Sequence, residues 1–258
     1  MPKYFTLLLL CMLWLGASAQ TWEIGGSVGG TGYIGDLNTN NYLKPGGGYG
    51  GVFIKRNFNP YLAIRLNYVY GQISGADSTS SVQQLRQRNL SFIDPLKELS
   101  MVLEFNFMSY VPDAGKNKYT PYVFLGGGIT GYAPRAWYNG QLFSLRYLQT
   151  EGVAYGSKTL VIPFGAGFKY NIGGKWTLGA ELGYRYTNTD YLDDVSGVYK
   201  GVFTNDTARR LADRSGEING GVNIGTPGSQ RGDLKPRDFY SFFGLTFSYT
   251  FVTSKCYY

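Results

Sequence analysis

The chain has 258 residues with 37 glycines, 23 tyrosines and only 16% charged residues, about twice the ordinary share of glycine and well below the usual quarter of charge. It contains no histidine, which excludes Ser-His-Asp and Cys-His catalysis, histidine zinc sites and histidine pH switches. The formal charge of +7 comes with no Lys/Arg stripe or binding-module signature, so it does not point to nucleic acid.

The first residues, MPKYFTLLLLCMLWLGASAQ, join basic Lys3 to an apolar run from Tyr4 to Leu15 and the small triplet Ala17-Ser18-Ala19. They read as a secretory signal, residues 1–19, cleaved between Ala19 and Gln20. A run of about 12 apolar residues is too short for a membrane anchor. Cys11 is followed by Met-Leu-Trp rather than by small residues, which argues against lipidation. It leaves with the signal, so Cys256 is the single cysteine expected in the exported chain, and no intramolecular disulfide can form. Beyond Ala19 no apolar run is long enough for a transmembrane helix.

The exported part alternates at period two. Segments 21–35 and 47–57 are strand-like, although glycines blur their faces. Leu62, Ile64, Leu66, Tyr68 and Tyr70 then share one face against Ala63, Arg65, Asn67 and Val69. Leu99, Met101, Leu103, Phe105 and Phe107 repeat the pattern opposite Ser100, Val102, Glu104 and Asn106. Segment 119–133 is glycine-rich and ambiguous. Leu160 to Tyr170 and Trp176 to Tyr186 alternate cleanly, and the last strand sets Phe243, Leu245, Phe247, Tyr249 and Phe251 against Gly244, Thr246, Ser248 and Thr250. Each pattern is a strand with one apolar and one polar or small face. These eight strands leave no room for helices, apart from a helical turn in SSVQQLRQRNL at 80–90.

The connections run long, short, long, short, long, short, long. The long ones lie near 36–46, 74–94, 134–157 and 190–237. The short ones are 57–60, 111–118 and 173–175. This is the pattern of an outer-membrane barrel with periplasmic turns and external loops. A soluble eight-stranded barrel would show no such bias and would turn its apolar face inward. Tyr170, Trp176 and Phe251 at the turn end, with Tyr70 and Tyr186 at the loop end, fit the two aromatic girdles of a bilayer. The expected fold is therefore all-β, an eight-stranded antiparallel up-and-down transmembrane β-barrel over 20–252, followed by a periplasmic tail at 253–258.

With the apolar faces toward lipid, Arg65, Glu104, Lys169, Glu181 and Arg185 face the lumen. Arg65 and Glu104 sit on adjacent strands and can pair. Such a set reads either as a catalytic or ion-binding cluster or as a salt-bridged plug, and the plug is favoured because eight strands leave a lumen only side-chain wide. Asp36, Asp193, Asp194 and Ser91 could be drawn into an enzyme hypothesis. Without a histidine base they read instead as solvated loop groups. GGTGYIG at 29–35 lacks the following helix that a phosphate loop needs. No cofactor, metal or small-molecule substrate is expected, and the protein reads as a non-enzyme.

The segments QTWEIGGSVGGTGYIGDLN, LKELSMVLEFNF, TPYVFLGGGI, LGAELGYRYT and GLTFSYTF followed by KCYY together resemble the PorG-like outer-membrane barrel family of Bacteroidota. The resemblance covers every strand but the second, while loop 190–237 matches nothing assignable to the family. It implies an accessory barrel of the type IX secretion and gliding machinery, embedded in outer-membrane lipid. Its implied partners are a periplasmic ring lipoprotein and that lipoprotein's own partner. Cys256, beyond the last strand, would be a periplasmic thiol; spacing alone leaves it open between a passive thiol and an intermolecular disulfide. The family's recurring terminal cysteine motif implies the second. The alternative reading is a surface barrel of the OmpA or OmpX kind, acting in adhesion or membrane integrity through its external loops.

Overall fold

The computed structural model describes residues 21–39, 44–113, 117–233 and 235–252. In chain order its strands are β1 (Thr21–Ile34), β2 (Pro45–Asn57), β3 (Leu62–Ala76), β4 (Ser91–Asn106), β5 (Tyr119–Gly131), β6 (Arg135–Tyr138), β7 (Gln141–Ser144), β8 (Lys158–Gly173), β9 (Trp176–Thr187) and β10 (Phe239–Val252). Eight of them form a sheet in the order β3-β2-β1-β10-β9-β8-β5-β4, which the β3–β4 ladder closes on itself. All barrel pairings are antiparallel. Closure leaves no barrel strand with a free edge.

The barrel is turned inside out relative to a soluble one. Along β4, Leu99, Met101, Leu103 and Phe105 are exposed while Glu98, Ser100, Val102, Glu104 and Asn106 are buried. The same inversion exposes Ile24 and Val28 on β1, Leu160 and Ile162 on β8, and Leu245 and Phe247 on β10. Left in water, each large apolar side chain would forgo about 1.5–3 kcal/mol of burial, so this surface belongs in hydrocarbon. Among outward-facing positions, Lys97 and Lys158 mark the band's loop end and Arg56, its guanidinium 5.3 Å from the Trp22 ring, marks its turn end. The fold is a transmembrane β-barrel of outer-membrane type.

Two glycine effects shape the wall. Gly174, with φ +52°, makes the tight β8–β9 turn, a backbone that side chains rarely adopt. Gly165 and Gly183 are cross-strand partners, and the Phe124 ring lies across both, its Cζ 2.7 Å from where either Cβ would stand. A Cβ on Gly165 would also meet Gly183 Cα at 2.7 Å and the Leu182 carbonyl oxygen. Backbone cannot yield there, so Gly165→Ala is expected to destabilise the barrel by about 1–3 kcal/mol, read as a lower urea midpoint in micelles.

At the loop end the structure differs from the sequence expectation. Strands β3 and β4 run on to an Ala76–Ser91 pairing, inside the 74–94 stretch expected to be loop. Their extension lies beyond the apolar band, so Gln72, Ser74 and Pro95 break the alternation without breaking the ladder. The 134–157 connection carries the β6–β7 hairpin, attached to β4 through Ile93–Arg135. Helices also occur where none were expected, at Leu145–Leu148 and Asp206–Ala212, besides the Gln83–Arg88 turn within 80–90. The Asp206–Ala212 helix starts where the Asn205 side chain accepts the Ala208 amide at 2.7 Å, an N-cap. These pieces share one core. Leu192, Val195 and Leu211 from the last connection pack with Tyr33, Leu37, Phe92 and Leu145, forming a folded cap over the loop end.

Candidate functional site

The lumen is a column of paired charges. Glu23 on β1 and Lys55 on β2 are cross-strand neighbours joined at 2.7 Å. Lys55 also faces Arg65 directly across the β2–β3 ladder, a like-charge pair that is unfavourable alone. Glu104 relieves it, lying 3.6 Å from Lys55, 3.0 Å from Arg65 Nε and 2.5 Å from Lys169. The Arg65 Nε contact is off-line for a hydrogen bond, so there the attraction is Coulombic. Arg65 donates instead to Glu181 at 2.7 Å, and Glu181 also accepts the Tyr122 hydroxyl at 2.8 Å. Lys169 further donates to Asn106 at 3.1 Å and sits 4.1 Å over the Tyr122 ring.

One level toward the cap, Arg185 donates to Glu98 at 3.2 Å and stacks on Phe242 at 4.3 Å. Glu98 accepts Tyr240 and Ser100 hydroxyls, each at 2.8 Å. Four cations (Lys55, Arg65, Lys169, Arg185) thus match four carboxylates (Glu23, Glu98, Glu104, Glu181). At the turn end, Tyr110 closes the column by a 2.7 Å hydrogen bond to Thr177. Buried charges persist only when paired and hydrogen-bonded, and these are.

The cap supplies a second polar cluster. Asp36 comes from the β1–β2 connection and Asp193 and Asp238 from the two ends of the β9–β10 connection; they are 1%, 2% and 0% exposed, and each offers an oxygen within 4.8 Å of the others. Asp193 accepts the Tyr33 hydroxyl and, at 2.9 Å, the Val195 amide. Asp238 accepts Tyr33 at 3.3 Å and the Leu192 amide at 3.0 Å. Asp36 accepts the Asp233 amide through Oδ1, while its Oδ2 has no hydrogen-bond donor among the described residues. Burial pushes the Asp36 carboxyl up to about 7, and burial with mutual repulsion holds Asp193 and Asp238 well above the ordinary range. Beside them, Asp194 accepts Tyr155 and Thr150 at 2.5 Å each, and burial raises it to about 6.

Of the lumen residues named from sequence, Arg65, Glu104, Lys169 and Glu181 meet in one network, while Arg185 pairs separately with Glu98. Sequence reading missed Glu23 and Lys55 because glycines hid the faces of β1 and β2. It missed Glu98 because that residue precedes the apolar run on β4. The reading of Asp36, Asp193 and Asp194 as solvated loop acids is corrected: all three are buried, because the connections fold over them. Ser91 opens β4 rather than lying in a loop, and accepts from Arg214 at 3.0 Å. Cys256, Ala19 and Gln20 lie outside the described residues.

No curated protein matches the chain. Among solved structures, the chain is similar to a major outer membrane protein of Thermus thermophilus (11% identity, TM-score 0.46, covering 91% of this chain and 100% of that one). It is also similar to OprG of Pseudomonas aeruginosa (12%, 0.44, 92% and 98%) and to Ail, the attachment invasion locus protein of Yersinia pestis, solved with the heparin analogue sucrose octasulfate (12%, 0.39, 90% and 97%). In sequence, the family described as a domain of unknown function, DUF6089, matches residues 2–205, most of the chain, and the protein belongs to that family.

Proposed function

We propose that this protein is a non-enzymatic outer-membrane component of the type IX secretion and gliding machinery, acting by binding rather than by conduction. The observation that carries the binding reading is the lumen, filled by matched, buried charges from Tyr110 to Glu98. A barrel filled this way offers partners only its two ends. The turn end with its short connections, and the tail bearing Cys256, would face a periplasmic ring lipoprotein and its partner. This assignment is supported by the sequence resemblance to PorG-like barrels. Cys256, unpaired within the exported chain, would form the intermolecular link.

The test is Cys256→Ser in the native host, with non-reducing gels and crosslinked pull-down through the tail. Loss of a higher-mass species together with a secretion defect is expected; an unchanged gel with intact secretion would refute the reading.

The cap favours a second reading, a surface barrel acting through its external end. Val202, Val222 and Tyr147 are 79%, 67% and 74% exposed on it. Exchanging the whole 190–237 connection would remove Leu192, Val195 and Leu211 from the cap core, so point changes are the cleaner probe. Val202→Ser, Val222→Ser and Tyr147→Ser should leave secretion unchanged if the tail carries the function, and should abolish surface adhesion if the cap does.

A further inference from the structure

We propose that Asp36, Asp193 and Asp238 bind one Ca²⁺ ion at the loop-side mouth of the barrel, pinning three chain segments together. This goes beyond the secretion reading and does not depend on it.

The donor set is all oxygen, as a hard cation requires. The three oxygens lie within 4.8 Å of one another. Opposite ligands on Ca²⁺ at 2.3–2.6 Å stand about 5 Å apart, whereas Mg²⁺ at 2.0–2.1 Å needs a tighter shell. Two further observations point to a ligand. Asp36 is 1% exposed, yet among the described residues its Oδ2 receives no hydrogen bond, an oxygen taken out of water and left unsatisfied. Arg88, whose charge acts on Asp36 and Asp193, gives Nε and Nη2 to Asp77 at 2.7 Å each, Nη2 also to the Asp36 carbonyl at 2.9 Å, and Nη1 to the Arg231 carbonyl. The carboxylates' other donors are one phenol and three backbone amides. Three buried carboxylates without a matching cation must either keep protons or take up a metal. In the column below, Glu23, Glu98, Glu104 and Glu181 each have a cation, a contrast within the same molecule.

The site also has a structural consequence. Asp36 follows β1, Asp193 follows β9 and Asp238 precedes β10, so a bound ion would lock the cap to three neighbouring strands. External sites of this kind bind with Kd of about 10⁻⁴–10⁻³ M.

The full chain, folded in lipopolysaccharide-free micelles and stripped with EGTA, is titrated with ⁴⁵Ca²⁺ by equilibrium dialysis near neutral pH. One ion per chain is expected, lost in Asp36→Asn, where the amide keeps the acceptor for the Asp233 N–H. It should persist in Asp206→Asn, which changes an exposed acid on the cap helix. Absence of saturable binding by the wild-type chain to about 10 mM, tenfold above that range, overturns the proposal, as does a stoichiometry unchanged by Asp36→Asn. Should Asp36→Asn fail to fold, trypsin cleavage of the wild-type chain at exposed Arg209 and Arg210 decides. At least fivefold slower cleavage with Ca²⁺ than with EGTA supports the site, and equal rates overturn it.

Discussion

Glu104→Gln is expected to cost about 3–5 kcal/mol of barrel stability, the usual consequence of removing one partner from a buried ion pair. The carboxylate holds together three cations that the strand ladders force into one level. Lys55 and Arg65 are direct cross-strand partners, and Lys169 reaches in from β8 at 2.5 Å. When Glu104 is neutralised, Lys55 keeps Glu23 at 2.7 Å and Arg65 keeps Glu181 at 2.7 Å. Lys169 keeps Asn106 and the face of Tyr122 in contact, with Glu23 attracting it from farther off. The loss therefore concentrates on Lys169, and a second change should recover much of it: Glu104→Gln with Lys169→Met removes the stranded ammonium and leaves its apolar stem in place. The measurement is a double-mutant cycle on urea midpoints in micelles, where the interaction energy isolates the pair. A hydrated lumen would behave differently. There the single change would cost under about 1 kcal/mol, as solvated pairs do, and the wild-type barrel would conduct ions in planar bilayers, which a filled column should not.

The same network shows what the sequence made legible. Arg65, Glu104, Lys169, Glu181 and Arg185 could be named because each lies between outward apolar residues on a clean period-two strand, which fixes its side of the wall. The pairing of Arg65 with Glu104 followed from strand adjacency. The strand number followed from five cleanly alternating segments and three glycine-rich ones placed by length and spacing, and the alternation of short and long connections marked the barrel as a membrane one. Glu23 and Lys55 were hidden for a physical reason: β1 and β2 are crowded with glycines, which have no side chain to reveal a face. In the structure those glycines let strands and rings approach closely, as where Phe53 Cζ stands 2.5 Å from a Cβ placed on Gly25.

The cap was not legible. Its residues come together only after the barrel has set the spacing of four connections, so Leu37, Leu145, Leu192 and Leu211 show no shared periodicity. Asp36 and Asp193 are ordinary loop acids in sequence and become buried neighbours only through contacts made over more than 150 residues of chain. What local signal existed was small: Asn205 and Asp206 ahead of ARRLA is a helix start, and YNGQ at 138–141 carries the Asn-Gly turn of the β6–β7 hairpin, with Asn139 and Gly140 both at positive φ.

Without divalent cations, the cap should be tightest in mild acid and loosen as pH rises toward neutrality. The sign follows from which state holds the proton. Burial raises the folded Asp36 carboxyl from 3.8 to about 7, and Asp190 and Asp194 to about 6. Between about pH 4 and 7 the folded cap therefore binds protons that the unfolded segment has released, so stability falls with rising pH across that window. For Asp36 alone the span is on the order of 4 kcal/mol. The groups around it work in both directions. Asp193, Asp238, Asp190 and Asp233 add repulsion once ionised, and the Tyr33 phenol bridges Asp193 and Asp238. Arg88 opposes the effect, although Asp77 draws on its charge; Arg231 does the same for Asp194 while pairing with Glu151 at 2.9 Å. The net excess is acidic. Hydrogen exchange over 190–199, corrected for intrinsic rates, should lose at least about tenfold in protection between pH 5 and pH 8 in EGTA. Adding Ca²⁺ at pH 8 should restore it, because a cation replaces the protons that ionisation removed. Asp36→Asn should flatten the profile and abolish the response to Ca²⁺. Protection that rises with pH in EGTA would mean that these carboxylates are ionised and already compensated, and the account of an acid-locked mouth would fail.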